Sequence, residues 1–242
     1  MPPGGDTRFI LVETSHPGNV GAAARAMKVM GFADLVLVAP RDPLVAQSPQ
    51  AVAMASGATD VVHNARVVAS LDEAIDGIDY LCATAMTPRD FGPPTHAPRE
   101  LLPRIAGSGH RVGFLFGSER FGLGNHDVYR CHAALSIPTP PGYGSLNLAQ
   151  AVQLIAYDWR CALGAFDVSP RTAEPQYADA AAVRGLLAHW QATLEKIGFL
   201  DPAVPRKLMP RLNQLVNRAE LRVEEIHILR GIARAVDEAT TR

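Results

Sequence analysis

The sequence predicts an α/β domain, a parallel sheet with helices on both faces, followed by a small all-helical extension. Three observations predict it. Short apolar, strand-like runs alternate with helical patterns as far as residue 166. Several of these runs end in glycine- and proline-rich loops, the places where open α/β sheets hold ligands. After Phe166 the texture becomes polar and proline-bearing, and then helical alone.

In order, RFILVE (8–13) reads as the first strand and GNVGAAARAMKVMG (18–31) as a helix with its loop. Val20, Ala23, Ala24, Met27 and Met30 form the apolar stripe of that helix. ADLVLVAP (33–40) is a second strand. In SPQAVAMASG (48–57) Ser48 is an N-cap, Pro49 occupies the first turn and Gly57 is a stop. TDVVHNARVV (59–68) is ambiguous, and LDEAIDGI (71–78) leads into the strand DYLCATAM (79–86). The breaker-rich loop TPRDFGPPTHAPRE (87–100) precedes a short helix and the strand RVGFLFG (111–117). NHDVYRCH (125–132) makes a helical turn or two, AALSIP (133–138) a strand, and SLNLAQAVQLIAYDWRCALGA (145–165) a long helix. DVSPRTAEPQYAD (167–179) reads as a linker between a domain over 1–166 and an extension over 180–242. The extension begins with a helix over about 177–198 and turns at GFLDPAVP (198–205). RKLMPRLNQLVNRAEL (206–221) and RVEEIHILRGIARAVDEA (222–239) supply two further helices.

Composition excludes several classes. A hydrophobic fraction of 48% with 19% charged residues rules out a disordered chain. No stretch of about 20 apolar residues exists to span a membrane, and Met1–Asp6 lacks the apolar core of a signal peptide. Cys82, Cys131 and Cys161 are odd in number and scattered without a C-x-x-C pair, which argues against disulfides and zinc and for a reducing cytosol. Cys131-His132 with His126 lacks a second ligand pair, so no metal site is expected. The net charge of −1 hides an asymmetry: residues 1–170 carry 12 Lys/Arg against 15 Asp/Glu, and 171–242 carry 11 against 9. Within 206–222, five basic residues face one acidic residue, either a polyanion footprint or a solvated helix face.

Three loops carry candidate chemistry. In HPGNVGAAAR, Gly18 and Gly21 have the spacing of the last two glycines of G-x-G-x-x-G, and Asp42 stands about where a ribose-binding acid would. His16 occupies the first glycine position, which weakens a nicotinamide oxidoreductase reading. Arg25 and Lys28 lie three apart on the polar face, close enough to the helix N-terminus for dipole and cations together to invite a phosphate; a solvated basic face is the alternative. In LFGSERFGL (115–123), glycines flank Glu119 and Arg120, which either orient a ligand loop or form a surface ion pair. In PPGYGSLNLAQAV (140–152), Ser145 can cap the following helix with Asn147 in its first turn, and the stiff loop suits an adenosine-like ligand.

Taken jointly, ETSHPGNVGAAARAMKVMG, FLFGSERFGL and IPTPPGYGSLNLAQAVQLIAY resemble the three signature regions of the SPOUT-class RNA 2′-O-methyltransferases. They most resemble the bacterial tRNA (cytidine/uridine-2′-O-)-methyltransferase branch. KIGFLDPAVPRKLMPRLNQLVNRAEL and EEIHILRGI resemble that branch's helical extension. The resemblance implies a C-terminal trefoil knot in the α/β domain, and a cytoplasmic homodimer whose active site is shared between copies. The nearly all-round apolar helix 146–159 is then either an interface element or a buried core helix. S-adenosylmethionine is implied as cofactor, at Thr84, Ala85, Met86, Gly117, Ile137, Gly144, Ser145 and Leu146. Relatives carry small polar residues where this chain has Ala85 and Met86, so backbone contacts there would survive and side-chain contacts would not. The implied substrate is tRNA, methylated at the first pyrimidine of the anticodon loop, position 32. Arg25 is implied to be catalytic, and Glu119, Ser145 and Asn147 to hold the loops and ribose. Arg25 and Lys28, with Arg206, Lys207, Arg211 and Arg218 of the extension, are candidates to grip RNA. A sister enzyme acting on another tRNA position or on ribosomal RNA, and a non-catalytic RNA-binding relative, are the alternatives.

Overall fold

The computed structural model describes residues 7–169 and 174–241. Met1–Asp6 and the middle of the expected linker, 170–173, lie outside the described residues. The chain divides into two compact units, Met1–Asp167 and Val168–Arg242.

The first unit holds a seven-stranded sheet in which every pairing is parallel. Its strands are β1 (Thr7–Val12), β2 (Asp34–Val38), β3 (Arg66–Val68), β4 (Tyr80–Thr84), β5 (Thr95–His96), β6 (Val112–Phe116) and β7 (Ala133–Leu135). They lie in the order β3-β2-β1-β6-β4-β7-β5. A parallel sheet is covered on both faces, which explains the nearly continuous apolar runs in its central strands. Side chains alternate: Phe9 and Leu11 enter one core, Ile10 and Val12 the other. The first core is closed by α1 (Pro17–Val29), α2 (Pro49–Ala55), α3 (Thr59–His63), α5 (Pro98–Ala106) and α7 (Leu148–Leu163). The second is closed by α4 (Leu71–Ile75) and α6 (Asn125–Val128). Phe9 sits 5.4 Å from Phe32 and 5.5 Å from Phe114 between ring centroids. Trp159 of α7 packs edge-on against Phe114 and donates its indole N–H to Thr7 Oγ1 at 2.8 Å, anchoring α7 across the start of β1.

Several local expectations are revised. The ambiguous segment 59–68 is both helix and strand, α3 then β3. The loop 87–100 carries the edge strand β5, and α5 begins at Pro98. Ser48 does cap α2, accepting from Gln50 N at 3.2 Å. Gly57, however, is not the stop: Ser56 takes the left-handed φ of 51° and a short 3₁₀ turn buries Ala58. Gly21 is demanded by helix packing, because a Cβ there would lie 2.0 Å from the Ala51 carbonyl oxygen of α2.

The second unit consists of α8 (Ala180–Lys196), α9 (Leu208–Ala219) and α10 (Val223–Ala239) around Leu186, Val216 and Ile226. Trp190 Nε1 donates to Leu229 O at 3.2 Å, tying α8 to α10. The end of the expected linker belongs to this unit, since Ala178 N donates to Leu221 O and Val223 N to Gln176 O.

Candidate active site

Three strand ends and one helix start converge at the carboxyl edge of the sheet. Thr84 closes β4 and donates its hydroxyl to Leu115 O at 2.8 Å; Ala85 N donates to Leu135 O at 3.0 Å. After β6, Gly117 enters a tight turn in which Gly122 N donates to Ser118 O at 2.9 Å. A Cβ at 117 would fall 2.0 Å from the Gly122 carbonyl carbon, so only glycine fits. Ile137 follows β7, and Gly144, Ser145 and Leu146 lead into α7. These seven sequence-predicted positions and the eighth, Met86, line one cavity of about 360 Å³. That volume lies within the range of small-ligand sites, roughly 300–1,000 Å³. Leu135, Leu148 and Ala151 add an apolar wall.

Glu119 lines the same cavity, but its carboxylate is already engaged. It accepts from Thr14 Oγ1 at 2.9 Å, Ser15 N at 3.0 Å, Ser15 Oγ at 3.1 Å, His16 N at 3.2 Å and Asn19 Nδ2 at 3.0 Å. Partial burial pushes this carboxyl upward, but the bonds from Asn19, its own backbone N–H, Ser15 and Thr14 outweigh it and hold the pKa at about 2. The surface ion pair with Arg120, one of the two readings of this loop, is not formed among the described residues. Glu119 instead clasps the β1–α1 loop, and Arg120 lies over the Phe121 ring at 5.1 Å.

Asn147 is the N-cap of α7, not a first-turn residue. Its Oδ1 accepts from Ala149 N at 2.9 Å, and Gln150 Oε1 accepts from Asn147 N at 3.3 Å, completing a capping box. Ser145 lies two residues too early to cap, and it faces the cavity with no hydrogen bond among the described residues. The Asn147 amide nitrogen donates to Asn19 Oδ1 at 2.9 Å, so Asn19 joins the clasp to the helix cap.

Arg25 is exposed and makes no ion pair or hydrogen bond among the described residues. It lies eight residues beyond Pro17, about 12 Å along the axis, outside the first turn where the dipole acts. The helix-dipole argument for a phosphate at Arg25 therefore fails, and its case rests on a free guanidinium. It is not on the wall of the cavity in its own chain. Lys28 is not free: its ammonium donates to Gly57 O at 2.9 Å and pairs with Asp60 at 2.7 Å, and that bond holds the Asp60 carboxyl below its usual range. In the second unit Arg206, Lys207, Arg211 and Arg218 are all exposed and without an acidic partner among the described residues.

The Cys/His cluster is spent locally. Cys131 Sγ donates to Asp127 O at 3.4 Å, His132 Nδ1 accepts from Leu81 N at 3.0 Å, and His126 pairs with Asp127 at 3.0 Å. Burial pushes the Cys131 thiol up to about 12. Among the described residues no group of three or more His, Cys, Asp or Glu gathers to hold a metal.

Sequence reasoning missed Asn19 and Arg89. Asn19 carried no signal, since its partners are far away in the chain. Arg89 lines the cavity from within the breaker-rich loop; a lone arginine between prolines and glycines ahead of an edge strand was its only trace.

A parallel sheet with a glycine-walled cavity at its carboxyl edge defines an open α/β protein with a ligand-sized site where that class holds its ligands. Residues 6–157 match the SpoU rRNA Methylase family, and the chain belongs to that family. Residues 181–242 match the C-terminal domain of the tRNA methyltransferase TrmJ. The chain is 41% identical over 235 residues to the tRNA (cytidine/uridine-2′-O-)-methyltransferase TrmJ of Photorhabdus laumondii, covering 96% of each chain. It is 42% identical over 238 residues to the tRNA (cytidine/uridine/adenosine-2′-O-)-methyltransferase TrmJ of Pseudomonas aeruginosa, covering 93% of this chain and 91% of that one. The crystal structure of TrmJ from Z. mobilis superposes with a TM-score of 0.80 at 33% identity, covering 95% of this chain and 98% of that one.

Proposed function

We propose that this chain is an S-adenosylmethionine-dependent tRNA methyltransferase that methylates the ribose 2′-hydroxyl of cytidine or uridine at position 32, in the anticodon loop. The observation that carries the reading is the convergence of Thr84, Gly117, Ile137 and the 144–146 loop on one cavity, whose lining residue Glu119 is held by a hydrogen-bonded chain through Asn19 to Asn147. The cavity fits the proposed cofactor. Its apolar wall suits an adenine ring, while the Gly117 and Gly144 turns bring backbone close to a polar ribose.

The cofactor supplies a methyl group activated by its sulfonium charge. Thr84, Gly117, Ile137 and the 144–146 loop would hold the cofactor, which would offer that methyl in line to the 2′-oxygen with its sulfur as leaving group, the hydroxyl proton passing to solvent or a phosphate. The protein's task is to align the two reactants and to stabilise charge growing on oxygen. Arginine stays protonated, so Arg25 orients the hydroxyl and stabilises the developing alkoxide rather than acting as a base. Glu119, fully hydrogen-bonded, holds the loops instead of moving a proton. Ser145, whose hydroxyl makes no hydrogen bond among the described residues, and Asn147, through the helix cap, position the ribose side of the site.

The same reading includes a trefoil knot in the segment from β4 to α7, a homodimer and a cytoplasmic location. Strand order gives support to the first, because β4 lies between the later strands β6 and β7. The exposure of Arg25 away from its own cavity supports the second, since a partner would bring that guanidinium to a cavity. Leu154 and Tyr157 on α7, 41% and 48% exposed, provide apolar surface for the contact. Among the described residues no helix is long and apolar enough to cross a membrane. The residues 1–166 would bind cofactor and carry out transfer, and 180–242 would grip the RNA.

Nucleoside mass spectrometry of unmodified tRNA transcripts incubated with protein and S-adenosylmethionine tests the reading. A 2′-O-methylpyrimidine at position 32 is expected. A methylated nucleotide elsewhere moves the chain to a sister activity, and absence of cofactor binding overturns the proposal.

A further inference from the structure

We infer that Arg89 is the receptor for the α-carboxylate of the cofactor's amino-acid arm, an assignment that rests on the function proposed above. Arg89 lines the cavity, and its Nε is buried with no hydrogen-bond partner among the described residues. One terminal nitrogen reaches only Leu123 O, at 3.5 Å. A buried guanidinium N–H without an acceptor is costly, which makes this position a site built for an incoming anion.

Among the described residues no group on the wall supplies that anion. Glu119 is the acid lining the cavity, and four donors from the β1–α1 loop with Asn19 of α1 already take up its two oxygens. The backbone of Arg89 is fixed: Gly92 N donates to Arg89 O at 2.9 Å, and Tyr129 Oη donates to Asp90 O at 2.9 Å. Between these bonds Phe91 is held at a φ of 60°, a conformation that bulky residues adopt at a cost. The strained turn presents one cation to the cavity in a set position.

Burial decides between two sources of the anion. An RNA phosphate stays outside, on a polymer that cannot enter a cavity of about 360 Å³, and Arg120, which also lines the cavity but is exposed and lies over Phe121, suits it. S-adenosylmethionine brings a single carboxylate into the cavity itself, where an arginine fork can bind both oxygens.

Calorimetry with two probes tests the assignment: S-adenosylhomocysteine, and S-adenosyl-3-thiopropylamine, the same molecule without its carboxylate. Arg89→Gln is expected to weaken S-adenosylhomocysteine by about 10- to 100-fold, the span of a charge-assisted bond. It should leave the decarboxylated probe within about twofold, and that retained binding also shows the variant to be folded. Arg89→Lys should recover part of the loss. Equal weakening of both probes, or unchanged affinity for S-adenosylhomocysteine, overturns the assignment. Loss of tRNA affinity with S-adenosylhomocysteine binding intact would overturn it too, giving the cation to a phosphate. If the unsubstituted protein binds neither probe, the cofactor reading itself falls.

Discussion

The side-chain nitrogen of Asn147 donates to Asn19 Oδ1 at 2.9 Å, although the two residues stand 128 positions apart. Each amide is used at both ends. Asn147 accepts from Ala149 N while it donates to Asn19, and Asn19 accepts from Asn147 while it donates to Glu119. The start of α7, the β1–α1 loop and the turn after β6 are therefore one hydrogen-bonded unit. Asn147→Ala is expected to cost about 1–2 kcal/mol, the sum of a lost helix cap and a lost side-chain bond. Asn147→Asp keeps the cap acceptor and should lose less than half as much in chemical denaturation. Equal losses would show that the bond to Asn19 carries the stability.

Glu119 gives the clasp a defined acid limit. Its folded pKa of about 2 lies below the ordinary value of about 4.3. A depressed carboxylate contributes stability above its unfolded pKa and loses it as pH falls toward the folded one. The stability difference between the protein and Glu119→Gln should thus be constant above about pH 5 and shrink between about pH 4 and pH 2. Unfolding midpoints across that window check it.

Arg25 is exposed and unbonded among the described residues, so removing it should not disturb the fold. Arg25→Ala is expected to abolish methyl transfer, to change stability by no more than about 0.5 kcal/mol, as for other surface substitutions, and to leave cofactor affinity intact. Undiminished turnover in that variant would remove Arg25 from the mechanism.

Gly117→Ala places a Cβ 2.0 Å from the Gly122 carbonyl carbon, a clash of backbone with side chain that no rotamer relieves. The turn must open. Cofactor affinity should fall at least about tenfold, with a stability loss in the range of about 1–3 kcal/mol for strain at a special backbone site. Retained affinity would mean that the turn after β6 does not shape the cavity.

Charge reversal of Arg206 and Lys207 should weaken tRNA binding and reduce the slope of affinity against salt by about 2, one unit per lost phosphate contact. Cofactor binding should not change. An unaltered salt slope would assign these exposed cations to solvent.

Much of this was legible from local pattern. The apolar runs of β1, β2, β4 and β6 announce buried parallel strands, and the stripe Val20, Ala23, Ala24 and Met27 announces the buried face of α1. Quantities set within one turn of chain, such as the Ser48 cap, need no tertiary information. The eight cavity positions were marked by their resemblance to a family's motifs, and the sheet brings them to one place. What failed was whatever depends on partners distant in sequence. Lys28 looks like a free cation until α3 brings Asp60 to it, and Glu119 looks like half of a surface ion pair until β1 and β6 lie side by side.

By itself, then, the amino-acid sequence determined the class of fold, most of the strands and helices that build it, and the short segments that line one cavity. Only the tertiary structure decided which polar side chains are spent on holding the protein together and which stay available. Glu119 meets Asn19 because β1 and β6 lie side by side, while among the described residues Arg25 and the Arg89 Nε meet no acceptor. Hydrogen bonds act over about 3 Å in space and are indifferent to separation along the chain.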